Sequence, residues 1–392
     1  MVGRRLNRNA LICPARAYVR YVALYFTVTV REPWQGWVNG ECRTVKLENF
    51  GRVLICALTS LSVAATGLLA VPAAAAAPVP ADGGAKIVAT ERIGPRTVDI
   101  TVDTPSVTAM DPKVRILLPE GWTENADRTW PVLYVLGGGP DTYTIWTEKT
   151  DIEKTSAGAD VIVVMPESGH SQGFVDWYNG GKGGSPKWET FHTQEVRQLV
   201  ERNFHGGAKR AVMGISSGGS GAMMYATRNP GLYDYVAAFS SMLHPTKPGV
   251  PAIMLLSDMV VGEVADPFDK LGDPLFDRWN WLEHDPYVNA AALRGTGIYI
   301  SSGTTGLPGP LDPGPDVIYD EKGDVIEVVK HYAAGTTGEK LVGLTAKDMA
   351  ARLEAMDIPA TVNLYGDGMH AWPYWDREYK AAWPLIMRAL GA

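Results

Sequence analysis

The chain has 392 residues, 46% hydrophobic and 20% charged, with a formal net charge of −7. That balance argues for an ordinary globular protein and against disorder, a collagen-like repeat or a multispanning membrane protein, and an acidic chain is not expected to bind nucleic acid. Its 42 Gly and 27 Pro point to many tight turns between short elements.

Residues 53–71 read VLICALTSLSVAATGLLAV, without a charge, after Lys46 and Arg52 and before Ala73 to Ala77 and Pro78. A basic flank, an apolar core and a run of small residues describe a secretory signal peptide, with an uncleaved membrane anchor as the alternative. Residues 1–77 are therefore read as an N-terminal extension and signal peptide, and 78–392 as one exported domain, secreted or held at the cell envelope. Residues 1 to about 44 hold Trp34, Trp37 and scattered Arg without a helical or strand period. They are taken to precede the true start, a long leader being the other reading. Cys13, Cys42 and Cys56 all lie upstream of Ala73, so the exported domain would have no thiol nucleophile, no Cys-ligated zinc and no disulfide. It would keep 27 basic against 40 acidic residues, a net charge of −13.

From residue 85 the segments AKIVATERIG, RTVDITVD and KVRILLPEGW read as strands closed by Gly, Pro or Asp. WPVLYVL (130–136) and VIVVMP (161–166) are continuous apolar runs, the mark of central strands covered on both faces. Val196, Leu199, Val200 and Phe204 then fall on one helical face. RAVMG (210–214), YVAAFS (235–240), GIYISSG (297–303) and ATVNLYG (360–366) add buried strands. The Gly/Pro-rich stretch 303–316 reads as a long loop of the kind that covers sites. Thr345 and Asp348 suggest a capping-box start for a helix carrying Met349, Leu353 and Met356. A terminal helix aligns Tyr379, Ala382, Trp383, Ile386 and Leu390. Strands alternating with helices imply an α/β domain with a mostly parallel central sheet and helices on both faces.

The pattern G-x-S-x-G occurs twice. Gly169 to Gly173 is followed by loop text, whereas Gly214-Ile215-Ser216-Ser217-Gly218 is fed by an apolar strand and followed by GAMMYATRN, which reads as a helix. Strand, sharp turn and helix form a nucleophile elbow, in which a serine sits at a strained turn with its hydroxyl exposed. Ser216 is the candidate nucleophile, and the Ser217 N–H is one candidate oxyanion donor. The run Gly137-Gly138-Gly139-Pro140 after WPVLYVL would allow a second amide close to the oxyanion, and Gly139 is the choice.

In this architecture the acid and then the histidine follow the serine in the chain. His370 lies between the last apolar strand and the terminal helix, in a loop with Gly366 and Gly368, and is the candidate general base. His170, His192, His205, His244, His284 and His331 fit less well in order or context. For the acid, Asp312, Asp316, Asp320, Glu339, Glu354 and Asp357 all follow GIYISSG. Glu339, in the loop text G-T-T-G-E-K-L, is singled out as a carboxylate able to orient the imidazole.

Several segments are more specific than the serine motif: VDTPS (102–106), Asp176-Trp177-Tyr178, Trp188-Glu189-Thr190-Phe191, GISSGGSGAMMYA, WNWLEHDP (279–286) and GMHAWPYW (368–375). Through them the chain from about residue 95 to 388 resembles the actinobacterial secreted mycolyltransferases of the antigen 85 type, within the esterase D family of α/β-hydrolases. The resemblance implies an α/β-hydrolase fold and carries over Ser216, His370 and Glu339, the last in a similar E-x-x-V context, with Trp372 as a substrate-binding residue. It implies a secreted serine acyltransferase moving an acyl group from a lipid ester to a hydroxyl such as that of trehalose or a glycerolipid, at a cell-envelope lipid surface. A secreted carboxylesterase and a noncatalytic matrix-binding surface protein are the alternatives. Neither a metal nor an organic cofactor is implied, since triad chemistry needs none. Two departures stand out: the family's Asp-Gly-Leu-Arg trehalose turn is replaced by Gly137 to Pro140, and the cysteine pair of some members is missing from 180–185.

Overall fold

Alternate residues of the central strands go to opposite faces, so a strand needs apolar side chains throughout only if both faces are covered. Both are. In the computed structural model, which describes residues 77–169, 173–260, 262, 264–312 and 325–392 without the side chains of 325–334, Val132, Tyr134 and Leu136 pack on one face and Leu133 and Val135 on the other. Residues 1–76, read from the sequence as part of an extension and signal peptide, lie outside the described residues, as do Ser171, Asp316 and Asp320.

Among the described residues nine strands form one sheet: β1 (Lys86–Arg92), β2 (Thr97–Asp103), β3 (Lys113–Leu117), β4 (Trp130–Leu136), β5 (Ile162–Pro166), β6 (Gly206–Ile215), β7 (Tyr235–Phe239), β8 (Gly297–Gly303) and β9 (Thr361–Gly366). Their spatial order is β1-β2-β3-β5-β4-β6-β7-β8-β9. The pairs β1·β2, β2·β3 and β3·β5 are antiparallel, and every pair from β5·β4 through β8·β9 is parallel. This is the mostly parallel sheet expected from the sequence.

One face is covered by α1 (Arg197–Asn203) with the π-turn before it, by α2 (Ser216–Arg228) and by α4 (Val325–Ala355). The other is covered by α5 (Trp372–Leu390), whose Tyr379, Ala382, Ile386 and Leu390 are all buried. Each large side chain of that stripe contributes about 1.5–3 kcal/mol through its burial. Between α2 and α4, helix α3 (Val250–Val260) follows the loop after β7.

Two local expectations are corrected. Thr345 does not start a helix, because α4 already runs from Val325 to Ala355; its hydroxyl bonds back to the Val342 carbonyl at 2.9 Å and accepts the Leu243 N–H at 3.2 Å. Asp348 likewise meets Lys247 and His244 rather than a helix end. Glu339 lies inside α4, not in a loop. Packing overrides the poor helix propensity of its neighbouring glycines: a Cβ on Gly343 would stand 2.1 Å from the Gly303 carbonyl oxygen, so only glycine lets α4 approach the end of β8.

From β4 the chain turns one way to β5 and the other way to β6, so the strand order reverses at β4. In open parallel sheets the crevice outside the carboxyl ends at such a reversal is where ligands bind. Gly137 to Pro140 follow β4 at that point, and Ser216 follows β6.

Candidate active site

The turn that presents Ser216 is set by close packing. Ser216 has a left-handed φ of 51°, a conformation costing a non-glycine residue about 1–3 kcal/mol and retained where surrounding structure enforces it. A Cβ on Gly214 would lie 2.4 Å from the Gly218 carbonyl carbon, and one on Gly218 would lie 2.1 Å from the Gly137 carbonyl oxygen. The elbow therefore closes only with glycine at both positions, and the turn after β4 sits directly against the start of α2. Ser217 is the second residue of α2, so its N–H has no carbonyl four residues back within the helix.

His370 reaches this hydroxyl from the loop between β9 and α5. Its Nε2 is 2.8 Å from Ser216 Oγ and its Nδ1 is 2.8 Å from Glu339 Oε2. The ring stands edge-on to Trp375 at 4.9 Å, and the His370 N–H donates to the Gly335 carbonyl of α4. Asp312 braces the same loop: its Oδ2 accepts the Met369 N–H at 3.1 Å and the Tyr374 hydroxyl at 2.9 Å. Of the acids considered from sequence, Glu339 alone meets the imidazole among the described residues. Glu354 and Asp357 are exposed.

Glu339 is fully buried. Its Oε1 accepts the Gly303 N–H at 2.5 Å and hydroxyls of Ser240, Ser302 and Tyr365 at 2.9, 3.0 and 3.1 Å. Four donors on one oxygen and the imidazole on the other compensate a charge that would otherwise be costly to bury. Burial, and then the Glu339 charge, push the Tyr365 phenol above its ordinary range, so it stays a donor. Ser240, Ser302 and Tyr365 were not legible as site residues, because they carry no motif and meet Glu339 only through tertiary packing; Asp312, considered as the acid, instead holds the His370 loop.

Gly139 lies in the turn after β4, and its N–H has no hydrogen-bond partner among the described residues. The neighbouring Gly138 N–H donates to Asp141 Oδ2 at 2.6 Å. Trp372 is half-buried, edge-on to Trp146 at 5.4 Å and to Trp375 at 5.3 Å, beside the His370 loop. His192 and His284 are buried structural groups held down to about 4, mainly by desolvation, and His244 stacks on Tyr287 at 3.9 Å. His170 and the His331 side chain lie outside the described residues.

Residues 106–384 match the model of the Esterase family, described as "Putative esterase". A diacylglycerol acyltransferase/mycolyltransferase Ag85B of Mycobacterium intracellulare is 28% identical over 277 residues, covering 67% of this chain and 76% of that protein. Ag85A of Mycobacterium ulcerans, with the same described activity, is 28% identical over 304 residues, covering 74% and 81%. Among solved structures, Mycobacterium tuberculosis MPT51 (FbpC1) superposes with a TM-score of 0.57 at 21% identity, covering 77% of this chain and 99% of that one. An S-formylglutathione hydrolase from Agrobacterium tumefaciens gives 0.56 at 16%, covering 78% and 99%. The fold is that of the α/β-hydrolases.

Proposed function

Because the chain belongs to the Esterase family, with an antigen 85-type relationship, we propose that it acts on acyl esters through an acyl-Ser216 intermediate and passes the acyl group to a hydroxyl acceptor. The carrying observation is the relay in which His370 bonds Ser216 on one nitrogen and buried Glu339 on the other, 2.8 Å each. His370 Nε2 takes the Ser216 proton as Oγ attacks the ester carbonyl; Glu339 holds the imidazole in the required tautomer and stabilises the imidazolium. The tetrahedral oxyanion rests on the Ser217 and Gly139 N–H groups. Collapse expels the donor alcohol with the proton from His370, and an acceptor hydroxyl, activated by the same nitrogen, releases the acyl group and restores Ser216. Trp372, in the aromatic cluster beside His370, supplies apolar wall to the acyl donor.

The named activity of the Ag85 relatives supports a lipid ester donor and a sugar or glycerol-type hydroxyl as acceptor. Water as acceptor, making the protein a carboxylesterase, is the second reading. It is favoured by the turn Gly137 to Pro140, which offers no polar side chain to a sugar. The apolar run before Ala73 to Ala77 supports export, and N-terminal sequencing of protein recovered outside the cell should begin near Pro78; recovery only as unprocessed intracellular chain defeats that part of the proposal.

Labelling with a serine-directed fluorophosphonate tests the nucleophile: wild type should label and Ser216→Ala should not, and equal labelling overturns the assignment. Incubation with a long-chain acyl ester and either trehalose or glycerol, followed by mass spectrometry, separates the readings. Acylated trehalose or glycerol is expected; free acid alone in every case leaves the esterase.

A further inference from the structure

Both backbone polar groups of Gly138 are held by a single residue. Asp141 Oδ2 accepts the Gly138 N–H at 2.6 Å, and the Asp141 N–H donates to the Gly138 carbonyl at 3.3 Å. The carboxylate occupies space that exists because positions 137 and 138 are glycine: a Cβ at Gly138 would stand 2.9 Å from Asp141 Oδ2, and one at Gly137 3.0 Å from Asp141 Cβ. The turn so clamped lies against the nucleophile, with the Cβ position of Gly138 3.6 Å from Ser216 Cβ.

Between the two clamped groups stand Gly139 and Pro140. The Gly138 carbonyl and the Gly139 N–H belong to one planar trans peptide, so the bond from the Asp141 N–H to that carbonyl fixes the direction of the Gly139 N–H as well. That N–H is the one the acyl-transfer reading uses. We propose that Asp141 is a positioning residue for the oxyanion site, holding the turn after β4 so that the Gly139 N–H faces the substrate oxygen above Ser216. The inference rests on the reading given under Proposed function.

What Asp141 supplies is an acceptor at a defined place, not a charge. A carboxylate beside a developing oxyanion repels it, and the groups that act on Asp141 electrostatically are Lys149 and Glu148 of the helical turn after it and His370 across the site. Desolvation already raises its carboxyl above the ordinary range, so the charge is a liability that the hydrogen bond to Gly138 offsets. A neutral acceptor of the same shape should serve as well or better.

Three variants separate geometry from charge. With a short-chain p-nitrophenyl ester, Asp141→Ala should lower kcat by about 10–100-fold with KM within about twofold, since a mispositioned oxyanion donor acts in the transition state. Asp141→Asn keeps the acceptor and loses the charge, and should restore kcat to wild type or above. Asp141→Glu keeps the charge but moves it by one methylene, and should be as slow as the alanine variant. Thermal melting verifies that each is folded; if Asp141→Ala is not, the Asn and Glu pair still decides. Folded Asp141→Ala or Asp141→Glu turning over like wild type, or folded Asp141→Asn as slow as Glu, overturns the proposal. A wild type without Ser216-dependent turnover defeats the acyl-transfer reading itself, a result separate from all of these.

Discussion

Two carboxylates flank Ser216, and they are treated oppositely. Glu339, on the histidine side, is fully buried and receives four donors on one oxygen and an imidazole on the other. Asp141, on the glycine-turn side, is half-buried and receives one backbone N–H. Glu339 is the more deeply buried and its site spends four groups on solvating one oxygen, whereas Asp141, whose carboxyl burial lifts, has one such group. The difference teaches that a buried charge is sustained by the donors converging on it, and that the side with converging donors is the one built around charge.

The largest test of that contrast is Glu339→Gln. The amide oxygen can keep the four donors, but its NH₂ would face His370 Nδ1, forcing that nitrogen to accept and leaving Nε2 protonated against Ser216. The wrong tautomer should lower kcat by about 10³–10⁴-fold with little change in melting temperature. A loss below tenfold would show that the Glu339 charge and its control of the tautomer matter little, and the contrast with Asp141 would fail.

A buried group without a charge partner gives the next largest effect. His192 sits between the Glu167 carbonyl and the Tyr225 hydroxyl, and desolvation holds its imidazole down to about 4. The folded protein thus resists a proton that the unfolded chain accepts near 6.5, so the stability is present above about 6.5 and is lost as pH falls toward 4, by on the order of 3 kcal/mol. His284 adds the same dependence. Melting curves of wild type and His192→Gln between pH 7 and 4.5 should show a shallower decline in the variant; identical slopes would show that His192 is not held neutral by the fold.

Much of this was legible in the sequence, for physical reasons. WPVLYVL and VIVVMP announce themselves because a strand covered on both faces must be apolar throughout, and Ser216 because a strained elbow needs glycines placed between a strand and a helix. His370 follows from chain order and from its loop between the last strand and the last helix. Glu339 could be singled out but not placed: the glycines before it read as loop, while tertiary contact with the end of β8 makes the segment helical. Thr345 misled in the same way, since a capping pattern is local whereas its hydroxyl bonds back within the helix to Val342 and accepts the N–H of Leu243, 102 residues away. Asp141 went unnoticed although an Asp just after Gly-Gly-Pro is ordinary side-chain turn chemistry; nothing local says which amide it will take.

A smaller effect is expected from trimming the Glu339 shell. Tyr365→Phe removes one of four donors and leaves the rest, and a hydrogen bond to a charged group is worth about 1.5–3 kcal/mol at most where nothing can replace it. Turnover should fall by about 3–20-fold. A loss as large as that of Glu339→Gln would mean that the donors act as one cooperative unit, and no loss would mean that three donors already saturate the carboxylate.

The smallest effect is on stability and falls on the other carboxylate. Desolvation raises the Asp141 carboxyl above its ordinary value near 3.8, so the fold disfavours the charged form. That penalty is absent at pH values below the ordinary carboxyl range, where both states are protonated, and is fully present above the raised folded value. Asp141→Asn removes the charge and keeps the bond to Gly138, so it should raise the melting temperature at pH 7 slightly, and the gain should close as pH falls into the ordinary carboxyl range. A gain independent of pH would assign the effect to packing. A loss at pH 7 would mean that the carboxylate is held as firmly as Glu339, and that the two sides of Ser216 differ only in how many donors they use.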